Sequence, residues 1–364
     1  MASDIFDYLY WRGDLSFADS AFNELDAAVL ARFSYIPFEE SGLFERKSSS
    51  VTVGTAAKAM LAMPDIGELV MQKEDVRLLA SLAVSPRFEN AELSDFVNTV
   101  DTETETQFSA MTVRFSRDGV YIAYRGTDNT LVGWKEDLNM AFGRVPSQRL
   151  AAEYINGIAL KKGGEIILGG HSKGGNLAVY AAAFCNEGVK GRIKTVYNFD
   201  GPGFDNEVLS SDEYKSICAR VRTLAPQTSI VGMLLGHGEK YTVVYSSYVG
   251  ILQHDIYSWS VRRTEFSYVE EVDNGSRFVD YTIKAWLESM TPKQREELVD
   301  AVYDIILKTN ATTVREISEN PVESALSVLR SIKNLDGATK DAVGKALLQL
   351  LKSTRTGFQR IEKE

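Results

Sequence analysis

The residues best suited to chemistry lie in Gly170-His171-Ser172-Lys173-Gly174, a G-x-S-x-G. The bare pattern is common by composition alone, so its setting decides its meaning. A short apolar run, Glu165 to Leu168, precedes it, and an Ala-rich stretch, Asn176 to Cys185, follows it. A serine between a strand and a small-residue helix has the setting of a nucleophile elbow. Glycines on either side let the strand and helix backbones pass without Cβ clashes, and the turn itself needs unusual φ/ψ. The helix N-terminus offers N–H groups to a developing oxyanion. The bland alternative is a glycine-rich turn without chemistry. A phosphate loop is a poorer reading, because the pattern is not G-x-x-x-x-G-K-[ST].

A serine nucleophile needs a base, and the chain has three histidines. His171 adjoins Ser172, and adjacent side chains on an elbow point apart, which suits a structural role. His237 lies in Leu235-Gly236-His237-Gly238, and His254 lies in Gln253-His254-Asp255. On such an elbow the order along the chain is serine, acid, histidine, with the histidine late in the sheet. His254 fits that order best and His237 is second. For the acid, Asp200 ends the apolar run Val196 to Phe199, where this class of sheet places ligands and catalysts. It also precedes Gly201-Pro202, where an aspartate commonly starts a turn. Asp205 and Asp255 are weaker candidates. The oxyanion donors should be the backbone N–H of Lys173 and one from a loop after an early strand, such as Tyr124 to Thr127.

The elements that must position these residues follow from periodicity. Phe17, Phe22, Leu25, Ala28, Val29 and Phe33 predict a helix over 15–33, with shorter helices over 54–64 and 73–83. Thr102 to Glu105 reads as a polar loop. Met111 to Phe115 and Val120 to Tyr124 alternate like strands around Asp118-Gly119, a hairpin signal. Trp134 to Phe142 and 147–161 return to helical spacing. Further strands are expected over Thr195 to Phe199, Arg220 to Leu224 and Tyr241 to Ser246. Strands alternating with helices predict an α/β fold with a mostly parallel sheet flanked by helices. After about Asn274 the pattern is helical, and Thr291-Pro292 with Gln294 reads as an N-cap with its capping-box partner. The expected division is residues 1–274 and a C-terminal helical appendage, 275–364.

Composition narrows the classes. With 40 basic and 50 acidic residues the formal net charge is −10, which argues against nucleic acid as the main partner. Two cysteines, Cys185 and Cys218, without a CxxC, suit a reducing cytoplasmic compartment. The first residues lack a secretory signal's basic and apolar regions, and no run is long and apolar enough to span a membrane. Nothing calls for a cofactor or a metal.

Arg125-Gly126-Thr127, Trp134 and Asp137-Leu138 resemble the R-G-[ST]…W…D/N-L segment of class 3 lipases, and Gly170 to Gly175 resembles their G-H-S-x-G-G elbow. The likeness spans roughly residues 110–260. GHSKGGNLA with FDGPGF more narrowly resembles an uncharacterised bacterial family related to those lipases. The resemblance implies an α/β-hydrolase fold, Ser172 as nucleophile, His254 as base, and Thr127 and Lys173 as oxyanion donors. One departure stands out: Ser229 occupies the position at which class 3 lipases carry their acid. Asp200, one strand earlier, then takes the role, or the site is a dyad. The stretch Asp128 to Trp134 suggests a small lid or none. The expected activity is hydrolysis of a lipid or short acyl ester through an acyl-enzyme. The alternative is a hydrolase fold used as a binding or scaffold module.

Overall fold

The structure, a computed structural model, describes residues 3–45, 50–128, 130–140, 143–229, 231–232, 234–248 and 250–270, with Thr291 and Gln294. The described residues divide between two compact units, 1–99, 108–126 and 147–272 in one and 100–107, 127–146 and 273–364 in the other.

In the first unit the chain enters through α1 (Ile5–Arg12) and α2 (Glu24–Phe33). Then come β1 (Ser50–Thr52), at one edge of the main sheet, and the helices α3 (Val53–Leu61), α4 (Ile66–Leu69) and α5 (Glu74–Leu82). Next come β2 (Glu92–Asp101), β3 (Thr106–Ser116) and β4 (Gly119–Tyr124), then α6 (Leu131–Met140) and α7 (Pro146–Lys161). The site-bearing elements are β5 (Glu165–His171), α8 (Lys173–Phe184), β6 (Ile193–Phe199), β7 (Val221–Pro226) and β8 (Tyr241–Val244). Two-residue strands close the described chain: β9 (Val261–Arg262), β10 (Glu265–Phe266) and β11 (Tyr268–Val269).

The main sheet runs β1-β2-β3-β4-β5-β6-β7-β8-β11. From β4 to β8 every pairing is parallel, whereas β3 joins β4, and β11 joins β8, antiparallel. This is the expected α/β arrangement, and its parallel centre is buried as parallel sheets require. All six residues of β4, and six of the seven in β5, are buried. The Asp118-Gly119 turn forms the β3–β4 hairpin, with a register shift between Arg114 and Ser116.

The N-terminal expectation needs correction. Residues 15–23 are not helical, and α2 begins only at Glu24. Asn23 caps it by accepting from Leu25 and Asp26, and the Asp26 carboxylate returns a bond to the Asn23 N–H. Upstream, the carbonyls of Leu15, Ser16, Ser20 and Ala21 accept from the Arg87 guanidinium at 3.0–3.4 Å, so the loop wraps a buried cation instead of coiling. Phe17 and Phe22 keep their core contacts from that loop, each against Phe115. The sequence also missed α1 and β2.

In the second unit, Lys135 Nζ meets Glu105 Oε1 at 2.6 Å, and the Gln107 N–H donates to Glu136 Oε2 at 3.1 Å, fastening α6 to the turn after β2. Thr291 N–H donates to Gln294 Oε1 (2.9 Å) and Gln294 N–H to Thr291 Oγ1 (3.3 Å), the reciprocal bonds of a capping box. The other C-terminal helices expected from the sequence, and the boundary at 274, lie outside the described residues. Among the described residues no helix is long and apolar enough to cross a membrane.

The Arg87–Asp26 pair joins the first turn of α2 to the segment after α5 through two bonds of 2.6 and 2.5 Å, with neither side chain exposed. Arg87→Leu strands a buried carboxylate and four carbonyls, and should cost about 3–5 kcal/mol of unfolding free energy. The urea midpoint measures it; a change under about 1 kcal/mol would mean the pair is dispensable.

Candidate active site

Ser172 is the residue on which the elbow turns. It sits between β5 and α8 with φ 59° and ψ −134°, a conformation that non-glycine residues avoid at a cost of about 1–3 kcal/mol. The close approach behind it depends on missing side chains. A Cβ on Gly170 would overlap the Gly174 main chain and the Tyr124 carbonyl, and one on Gly174 would overlap that same carbonyl. The turn after β4 presses on the elbow as well: a Cβ on Gly126 would overlap the Tyr35 hydroxyl and stand 3.2 Å from Ser172 Cβ. Ser172 N–H donates to the Phe199 carbonyl at 2.9 Å, which ties the elbow to the end of β6.

The next residue on that strand end is Asp200, fully buried and with φ 52°. His254 Nδ1 donates to Asp200 Oδ2 at 2.6 Å. Oδ1 accepts from Ser229 Oγ at 2.5 Å and from the Gly232 N–H at 3.1 Å. Ser229 therefore serves as a donor to the carboxylate at the end of β6. Gly232 is required there, because a Cβ would run into Asp200 Oδ1. With its Nδ1 proton given to Asp200, His254 keeps a basic lone pair on Nε2. Ser172 Oγ makes no hydrogen bond in the described structure; a nucleophile and its base commonly tighten only in the reacting complex.

His237 pairs with a carboxylate too, but both of its nitrogens are committed. Nδ1 faces Glu239 Oε1 at 3.1 Å, and Nε2 donates to the Gly232 carbonyl at 2.8 Å. Burial pushes the Glu239 carboxyl up, yet its bonds to His237, Thr223 and Tyr214 more than offset this and hold it at about 2. This pair fastens the loop that supplies Gly232 to Asp200. Asp205 and Asp255 cap short helical turns, accepting from Val208 N–H and Tyr257 N–H.

His171 is buried beside the elbow. Its Nε2 donates to the His254 carbonyl at 2.7 Å, and Tyr35 Oη lies 3.3 Å from Nδ1. Lys173 opens α8, and its side chain is 1% exposed, so it does not reach solvent as a surface lysine would. Thr127 belongs to the second unit, where its hydroxyl donates to the Asp137 carboxylate; that proton is unavailable as an extra oxyanion donor. Among the described residues no group of three or more His, Cys, Asp or Glu is placed to hold a metal ion.

Residues 82–304 match the model of the Mbeg1-like family, and the chain belongs to that family. No curated protein matches it. Among solved structures, the crystal structure of M37 lipase is similar at 16% identity and a TM-score of 0.35, over 58% of this chain and 70% of that one. A fungal lipase–inhibitor complex described as a model for interfacial activation is similar at 13% identity and a TM-score of 0.36, over 61% and 81%.

Burial, then the neighbouring charge of His254, pushes His171 well below the ordinary histidine value of 6.5. The unfolded chain takes up a proton below that value and the folded chain refuses it, so the stability His171 contributes is complete above pH 6.5 and is lost as pH falls. Between about pH 6.5 and 5.5 wild type should lose roughly 1 kcal/mol relative to His171→Gln. Urea titrations at both pH values measure it; an unchanged difference would show that the buried ring titrates normally.

Proposed function

We propose that this member of the Mbeg1-like family is a serine hydrolase of carboxylic esters, acting on lipid or short acyl esters through an acyl-enzyme. Ser172 Oγ attacks the ester carbonyl as His254 Nε2 takes its proton. The imidazolium so formed is stabilised by Asp200 and returns the proton to the leaving alkoxide. Water, activated by the same nitrogen, resolves the acyl-enzyme. The tetrahedral oxyanion is met by the backbone N–H of Lys173, at the first turn of α8. The Ser172 backbone carries this reading: a serine held at φ 59° on a strand-to-helix turn has the geometry that presents a nucleophile. The bond from His254 Nδ1 to Asp200 supports the same assignment, since it fixes the tautomer that a base requires. A cytoplasmic location accords with the free cysteines Cys185 and Cys218.

A fluorophosphonate probe should label wild type and fail to label Ser172→Ala, with thermal unfolding unchanged in kind. On a short-chain p-nitrophenyl ester, Asp200→Asn should lower kcat by about 10⁴-fold, because the imidazole loses the partner that sets its tautomer. Absence of labelling in folded wild type would overturn the hydrolase reading and leave a binding module.

A further inference from the structure

We propose that His171 is a positioning residue for the base: it grips the main chain of His254 and so fixes the imidazole's place between Ser172 and Asp200. The proposal rests on the reading of His254 as base, and it concerns a residue that takes no part in the proton transfers.

The bond runs from His171 Nε2 to the carbonyl oxygen of His254 at 2.7 Å. Because a carbonyl can only accept, the Nε2 nitrogen carries the proton. The two rings also face each other, with centroids 4.5 Å apart and planes inclined by 35°. His254 therefore has two independent restraints. Asp200 holds the ring through Nδ1, and His171 holds the backbone from which the ring hangs. Gln253, one residue earlier, is anchored elsewhere: its side chain accepts from the Thr228 N–H at 2.7 Å and donates to the Tyr248 carbonyl at 2.8 Å. Its carbonyl accepts from Trp259 Nε1 at 2.8 Å. Those bonds fix the turn to its own loop and to the segment after β7. The bond from His171 ties the turn to β5, the strand that carries the nucleophile. The residue next to Ser172 thus registers the base against the serine, although the two histidines are 83 positions apart.

The other side of His171 is braced by the N-terminal helical segment. Tyr35 Oη lies 3.1 Å from the His171 carbonyl and 3.3 Å from Nδ1. The Arg32 guanidinium stands 4.7 Å from the Tyr35 ring centre and is itself held by two 2.7 Å bonds to Asp75. A ring packed this way cannot turn to offer its nitrogens elsewhere. Its pKa, pushed down by burial and then by the charge on His254, keeps it neutral when His254 becomes cationic. A second positive charge facing the imidazolium at this separation would oppose the proton transfer.

The experiment compares two kinds of substitution. His171→Gln retains an N–H donor at about the reach of Nε2; His171→Leu fills the space without one. If His171→Leu does not fold, His171→Met, unbranched and also without a donor, replaces it. Two readouts are taken. One is the downfield proton resonance of His254 Nδ1–H, assigned by its loss in His254→Gln. The other is kcat and KM on a short-chain p-nitrophenyl ester. In the donor-free variant the resonance should shift or broaden, and kcat should fall by up to about 10²-fold with KM little changed, as for a displaced catalytic group. His171→Gln should recover most of both. A folded donor-free variant with wild-type resonance and kcat overturns the proposal, as does a His171→Gln variant as impaired as the donor-free one. If wild type neither hydrolyses esters nor takes the fluorophosphonate, the hydrolase reading fails, and the resonance comparison alone decides whether His171 positions His254.

Discussion

Everything at this site depends on how closely β5 and α8 can cross. The turn between them is short enough to force Ser172 to φ 59°, and it can be that short only because Gly170 and Gly174 have no side chains to separate the two backbones. The Tyr124 carbonyl fills the space a Cβ would take, so the end of β4 is drawn in as the third wall. The tight crossing is what aims the first N–H groups of α8 at the serine, and a looser turn would give up both the strain and the aim. The surrounding sheet supplies the rigidity: with parallel partners on both sides, β5 cannot relax without breaking two ladders.

Two histidine–carboxylate pairs lie close together in this region, and they illustrate how hydrogen bonding, more than pairing, separates His254, the proposed base, from a brace. His237 faces Glu239 with one nitrogen and a backbone carbonyl with the other. With a protein group against each nitrogen, neither is open to a reacting hydroxyl. His254 faces Asp200 with one nitrogen only. The brace nevertheless serves the base, because His237 holds the Gly232 carbonyl while the Gly232 N–H holds Asp200.

Much of this was legible in the sequence, and the reasons are local. The elbow announces itself through five consecutive residues, the parallel strands through short apolar runs between glycines, and the order of serine, aspartate and histidine through chain direction alone. Asp200 could be singled out by its place at a strand end, although a turn aspartate would look the same. What could not be read are the contacts that span the chain. Nothing near Ser229 says that its hydroxyl will meet a carboxylate 29 positions earlier, nor anything near Tyr35 that it will meet His171, 136 positions later. The expected helix over 15–33 failed for the same reason. Its apolar spacing was real, but the carbonyls of that loop are spent on Arg87, more than 60 positions away.

Asp200 and Ser229 show how segments that follow neighbouring strands can share one hydrogen-bonded group. The ends of β6 and β7 are adjacent parallel strands in register, Phe199 opposite Leu224. Here the negative charge sits on Asp200, and the neighbouring position holds Ser229, whose hydroxyl donates to that charge. A second carboxylate at 229 would face the first where both positions are buried, and one of the two would have to take up a proton. A small hydroxyl avoids that repulsion and adds a bond to a buried charge worth about 1.5–3 kcal/mol. The hydroxyl at 229 is thus matched to the carboxylate it faces, and Asp200 is held between Ser229 and His254.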